Sequence, residues 1–251
     1  FTPKSESLTA RVFCMYTFLQ GVAGAAGYHL LLNRPSFSRI SREALHSLFR
    51  FSLVVFITNL VQFLAYRADY WFISCFADKK AVGIFAQANR FAQLLWVLPN
   101  VYAALLIPLV KDEEKKFGME EFLAYPRILN KLNIAAVIMI GAVSWFLYRY
   151  FFEPEFWPGW NTLLIMLPGY YFFALTLLLA AWFAARGQLR VNLAGSAICF
   201  GTIIIADILL IPEYTFTGAA IADSIAYIVT TIYFVIQFRK NTGLPFIAYF
   251  R

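Results

Sequence analysis

Seven times along this chain the side chains stay apolar for long enough to cross the hydrocarbon core of a bilayer, a distance that takes about 20 helical residues. The runs lie near 11–32, 51–77, 82–110, 131–152, 161–185, 190–211 and 218–238. Of the 251 residues 61% are hydrophobic and 14% charged, too few polar groups to cover a soluble globule of this length. In lipid every backbone N–H and C=O must find a partner within the protein, which leaves helices or closed barrels. None of the runs has the strand-length alternation of a barrel. The expectation is an all-α integral membrane protein with seven transmembrane helices.

Lys and Arg concentrate in connections that stay in the cytoplasm. One set of alternate connections, around 33–50, 111–131, 186–190 and 239–251, holds 14 of them, whereas the other side holds only Lys4, Arg11, Lys79 and Lys80. Strict alternation then puts the C-terminus in the cytoplasm and the start of the chain outside. A start outside, without an initiating methionine or a charged signal region, reads as a sign that an N-terminal part precedes this sequence. The stretch EPEFWPGW, 153–160, lacks Lys and Arg and is rich in Trp, as an outer interface requires. The mixed charges of KDEEKK, from 111, read as a solvated loop.

The net charge of +7 follows from that topology, and no basic patch with interleaved exposed aromatics remains to suggest nucleic acid. Cys14, Cys75 and Cys199 lie far apart in apolar runs and read as packing residues. His29 and His46 have no ligand-spaced partner, so neither a metal nor any other cofactor is implied. GVAGAAG, 21–27, has Gly at every third position but no strand before it; close helix packing through small residues is the reading, not a phosphate loop.

The stretch AYRADYWFISCF, 65–76, carries Arg67 and Asp69 inside an apolar run. On one helix they point about 200° apart and face different neighbours. Asp69 continues a stripe with Thr58, Gln62 and Tyr66, at steps of four, four and three. The next span carries Gln87, Arg90 and Gln93 at steps of three, with Asn100 seven further on. Asp69 and Arg90 stand nearly equally far from the turn at Asp78 and Lys79, hence at equal depth, and are expected to pair or to flank one polar cavity. A charge there costs at least about 2.5 kcal/mol unless paired or hydrated. The alternatives are an ion pair that fixes the hairpin and a water-filled pathway lined by this pair with Arg67 and Arg149.

Asp207 and Asp223 are equally distant from a turn near Thr215. Their shallow position reads as two separately hydrated carboxylates at the interface; an approach close enough for proton or ion coupling is the alternative. Pro99 before Asn100, and Pro168 with Gly169, should kink their spans, as suits alternating access.

The order "R.DYWFI....D...VGIFAQANRFAQLLWVLPNVYAALLIPLV", "LLIMLPGYYFFALTLLLAAWFAARGQ" and "ILLIPEYTFTGAAIADSIAY" resembles the C-terminal lobe of Wzx-type polysaccharide (O-antigen) flippases, a branch of the multidrug/oligosaccharidyl-lipid/polysaccharide exporter superfamily. The likeness covers residues 40–240. Its most specific pieces are Asp69, VGIFAQANR at 82–90, MLP at 166–168, RGQ at 186–188 and IPEYTFTGAAIAD at 211–223. Asp223 stands where the family more often has a small or hydroxyl residue, and Asp207 where an amide is common, so no family role carries over to these two.

The resemblance implies a two-lobe alternating-access transporter. Residues 1–35 would hold the last helix of the N-terminal lobe, 36–240 the six-helix C-terminal lobe, and 241–251 a cytoplasmic tail. It also implies a job: moving an undecaprenyl-pyrophosphate-linked oligosaccharide to the periplasmic leaflet of a bacterial inner membrane, for O-antigen or lipopolysaccharide synthesis, beside other polysaccharide-assembly membrane proteins. Arg67, Arg90 and Arg149 suit a pyrophosphate, which guanidinium binds bidentately, and Gln62, Tyr66, Gln87 and Gln93 suit sugars. The rival cargo is a drug or metabolite, but cations would prefer excess carboxylate over Arg67 and Arg90 against Asp69. A glycan polymerase or acyltransferase needs a catalytic arrangement at an exposed face, and neither His stands beside a carboxylate.

Overall fold

The computed structural model describes residues 15, 16, 18–24, 26, 27, 41–111 and 119–243. The ends of the 11–32 run, the loop at 112–118, and the tail from 244 with Cys14 and His29 lie outside the described residues. The chain divides into two units, 1–48 and 49–251. In the first, the described residues of 15–27 are helical, and open space surrounds the positions where Cβ atoms would stand on Gly21, Gly24 and Gly27.

The described residues form helices and no strand. Helix α1 is Arg42–Phe76, α2 Lys79–Gln93, α3 Val97–Lys111, α4 Met119–Tyr150, α5 Pro158–Ala185 and α6 Leu189–Thr242. Four stretches are long and apolar enough to cross a membrane: Arg42–Phe76, Pro126–Tyr150, Pro154–Ala185 and Leu189–Thr242. This is an all-α membrane protein.

The 82–110 run is not one helix. It breaks into a 3-10 turn at Leu94–Trp96, and α3 restarts so that Pro99 falls in its first turn, where a missing N–H costs nothing. On α2, Ala81, Ile84, Phe85, Ala88, Asn89 and Ala92 are buried, the three-and-four spacing of one helix face. Asp78 caps this helix, its carboxylate accepting from the Ala81 N–H at 2.8 Å.

Helix α6 holds one non-helical residue, Thr215, at φ 50° and ψ −127°, and there the chain reverses. Gln188 Nε2 donates to Asn241 Oδ1 at 3.1 Å, Tyr233 reaches the Val191 carbonyl, and a Cβ on Gly195 would stand 2.3 Å from the Phe234 ring. These pairs are nearly symmetric about Thr215, so the 189–214 and 216–242 arms run antiparallel. The reversal is tight at Gly218, where a Cβ would sit 2.4 Å from the Leu210 carbonyl oxygen. A second close approach is Gly169 on α5, whose added Cβ would meet Ser224 Cα at 2.4 Å. Backbone cannot give way as a side chain can. Gly169→Ala and Gly218→Ala should therefore each cost about 1–3 kcal/mol, read as a lowered melting temperature in detergent, whereas Gly201→Ala, which faces open space, should not.

Two hydrophobic clusters hold the bundle. One joins Phe85, Trp96, Tyr170 and Tyr227, with Trp96 stacked on Tyr170 at 4.6 Å and 9°. The other joins Phe122, Trp182, Phe183, Phe234 and Phe238 near the opposite ends of α5 and α6. Lys80 and Glu155 pair at 3.1 Å, bringing the α1–α2 turn beside the α4–α5 connection, as alternation of spans requires. With 46% and 60% of these side chains exposed, the pair stabilises by no more than about 1 kcal/mol.

Candidate functional site

The stripe on α1 turns into the bundle. Gln62 Oε1 accepts from Ser196 Oγ at 3.0 Å, the Tyr66 ring lies 5.6 Å from Trp96, and Asp69 is 1% exposed. Only Thr58 turns back on its own helix, donating to the Val54 carbonyl.

Asp69 does not meet Arg90. Asp69 is buried and Arg90 exposed, and no ion pair joins them. Asp69 instead lies within hydrogen-bonding reach of Asp207, and both feel the charge of Asp223. The chain neighbours of Asp69 and Arg90, Tyr70 and Asn89, are hydrogen-bonded, which puts Asp69 and Arg90 at similar depth, but they do not face each other. Asn89, one residue and about 100° from Arg90, occupies the buried side of α2, and Arg90 is exposed.

Asp207 and Asp223 are not hydrated interface carboxylates. They are 0% and 1% exposed, because the reversal at Thr215 lays one arm against the other and both carboxyls turn inward. The Tyr170 hydroxyl lies 3.1 Å from Asp223 Oδ2 and 2.8 Å from Asn89 Oδ1. Asn89 donates to the Tyr70 hydroxyl at 3.1 Å and accepts from Gln93 Nε2 at 2.8 Å. Tyr227 also faces Asp223. Asp69 Oδ1, both oxygens of Asp207 and Asp223 Oδ1 have no donor.

Ionised carboxyls only accept hydrogen bonds, so Asp69 and Asp207 can bond each other only around an added proton. Several kcal/mol attach to each buried, uncompensated ion. No Lys or Arg stands within ion-pair distance to offset it among the described residues. The arrangement is suited to hold a positive charge and to change when it leaves.

The arginines face elsewhere. Arg67 is exposed, its guanidinium 5.7 Å from the Phe63 ring centre and 5.6 Å from that of Tyr70. Because Tyr70 is also bonded to Asn89, the neighbour of Arg90, Arg67 and Arg90 lie at similar depth. Gln93 beside them is exposed, and Gln87 keeps a buried Oε1 without a donor. Arg149 is elsewhere, at the end of α4, 4.5 Å from the Trp157 ring centre. The sequence reading missed Asn89, Tyr170 and Tyr227. Asn89 was findable, since it continues the Ala81–Phe85 row of α2.

With that geometry in view, comparison with known proteins adds one result. Residues 14–115 match the family described as "Polysaccharide biosynthesis protein". The match takes in Arg67, Asp69 and Arg90 and stops before Tyr170, Asp207 and Asp223. The match covers less than half of the chain, and what it suggests is a part in polysaccharide biosynthesis. No curated protein matches the chain.

Proposed function

We propose that the protein is a flippase, a transporter and not an enzyme, which moves a lipid-linked oligosaccharide carried on undecaprenyl pyrophosphate from the cytoplasmic to the periplasmic leaflet of a bacterial inner membrane. On this reading residues 36–240 form the C-terminal lobe of a two-lobe alternating-access transporter, with 241–251 a cytoplasmic tail. The observation that carries it is the separation of charge at one depth: Arg67 and Arg90 exposed, the carboxyls of Asp69, Asp207 and Asp223 buried. Exposed guanidinium groups at membrane depth are too costly to face lipid. They suit a cavity that takes an anionic head group, and bidentate bonding to a pyrophosphate is what guanidinium does best.

The buried carboxyls take the second role, holding a proton or a monovalent cation whose gradient drives the cycle. Asp207 and Asp223 lie on the two arms of α6 and Asp69 on α1, so loss of the bound charge sets three segments repelling one another.

The direct test is ligand-dependent stability of the full-length protein in detergent. Farnesyl pyrophosphate should raise the melting temperature of wild type, since a ligand that binds only the folded state stabilises it. Arg67→Ala and Arg90→Ala should lose that increase, and Arg149→Ala should keep it. Equal stabilisation of all four proteins would remove the arginines from the site.

A further inference from the structure

The Tyr170 hydroxyl stands between the buried carboxyls and the arginine side of the bundle. It lies 2.8 Å from Asn89 Oδ1 on α2 and 3.1 Å from Asp223 Oδ2 on α6, and the residue is fully buried. A phenol carries one hydrogen, so it serves only one of these two acceptors at a time. Asn89 donates to the Tyr70 hydroxyl at 3.1 Å, and the Tyr70 ring carries the Arg67 guanidinium. Arg90 follows Asn89 on the same helix. A continuous run of side chains therefore leads from a buried carboxyl to both exposed arginines.

Charge on Asp223 decides which way the hydrogen points. An ionised carboxylate only accepts, and a bond to it is about twice as strong as one between neutral groups. The Tyr170 hydrogen then turns to Asp223, and the oxygens of Tyr170 and Asn89 face each other with no hydrogen between them, which pushes Asn89 away. The other donor to Asn89 Oδ1 is Gln93, on α2 itself, so it does not tie α2 to α5. A proton added to Asp223 Oδ2 reverses the arrangement. The carboxyl donates to the Tyr170 oxygen, the Tyr170 hydrogen rotates onto Asn89, and α2 is held. A metal cation would not act in this way, because the carboxylate beneath it remains an acceptor. The titratable groups that face Asp223 are Tyr66, Asp69 and Tyr70 on α1, Tyr170 on α5, and Cys199, Asp207 and Tyr227 on α6. All are acids, so no base among them takes the proton in place of Asp223.

We propose that Tyr170 is a positioning residue that relays the protonation of Asp223 to the arginine side. The protonated form holds Arg67 and Arg90 in place for an anionic head group, and the deprotonated form lets them go. This rests on the reading of the two arginines as the head-group site and adds to it the device by which a buried proton controls that site.

The test is calorimetric binding of geranyl-pyrophosphoryl-N-acetylglucosamine to the full-length protein in detergent. Its pyrophosphate is esterified at both ends and keeps its charge, as the arginines do, between about pH 5.5 and about pH 8. Wild type should bind about fivefold or more tightly at the acid end, the lower range of coupling between linked sites, with or without sodium. Tyr170→Phe keeps the ring that stacks on Trp96 and the backbone carbonyl that accepts from the Trp96 N–H. It should therefore melt close to wild type and bind the ligand, but with the same Kd at both pH values. Asp223→Asn is neutral at every pH and its amide donates to Tyr170, so it should show the acid-pH Kd of wild type throughout. The wild-type pH dependence retained in either variant, a wild-type Kd equal at the two pH values, or one that follows sodium instead would overturn the relay and leave the arginine site standing. Wild-type binding that Arg90→Ala does not weaken would remove the site itself, and the relay with it.

Discussion

Flipping of an undecaprenyl-pyrophosphate oligosaccharide should fall about 10- to 100-fold when Arg90 becomes alanine, the loss of one charge-assisted hydrogen bond at about 1.5–3 kcal/mol. The protein should still fold, because Arg90 is exposed and makes no ion pair among the described residues. Arg90→Lys should recover only part of the rate: an ammonium keeps the charge but cannot fork across two phosphate oxygens. Arg149→Ala is the internal control. Its guanidinium lies over Trp157 at the end of α4, away from Tyr70 and Asn89, and its loss should leave flipping within about twofold of wild type.

The second large effect is expected at the carboxyls. Asp207→Asn should abolish the response of flipping to an imposed ion gradient while leaving the fold intact, since the amide fills the same space and can donate to Asp69. Gradients of pH and of sodium, imposed one at a time on wild type, distinguish the coupling ion. A variant that still responds to the gradient that drives wild type would remove Asp207 from coupling. Exchanging the charges, Asp69→Arg with Arg90→Asp, should not restore function. Asp69 lies with Asp207 and Asp223, and the exchange would push a guanidinium into a fully packed site and a carboxylate into the anion-facing one.

The same residues show what the sequence could and could not convey. Depth was legible wherever a turn could be located. The turn at Asp78 put Asp69 level with the Arg90 region, and the turn at Thr215 put Asp207 level with Asp223. Facing was harder. A helix rotates about 100° per residue, so choosing Arg90 over Asn89 turned the expected partner of Asp69 from the core to the surface. The row Ala81, Phe85, Ala88, Ala92 could have decided it.

Nothing local in the sequence tells that α1 lies along the first arm of α6. That adjacency, seen in Gln62 with Ser196 and in Asp69 with Asp207, joins residues more than a hundred positions apart and is set by packing. The hydrated reading of Asp207 and Asp223 failed for a related reason. Distance from a turn measures depth along an arm but not which side of the arm is covered. The break at Leu94–Trp96 was masked by unbroken apolar character, with Pro99 pointing to a kink a few residues later than the chain makes it.

The central claim is that the exposed arginines receive an anionic lipid head group. It is tested most directly in proteoliposomes holding the full-length protein, with flipping of a fluorescent undecaprenyl-pyrophosphate oligosaccharide and efflux of a cationic dye followed in parallel for wild type and Arg90→Ala. Flipping by wild type that collapses in the variant, with no dye efflux from either, is the predicted result. Dye efflux without flipping would contradict it, and would make the protein an exporter of cations.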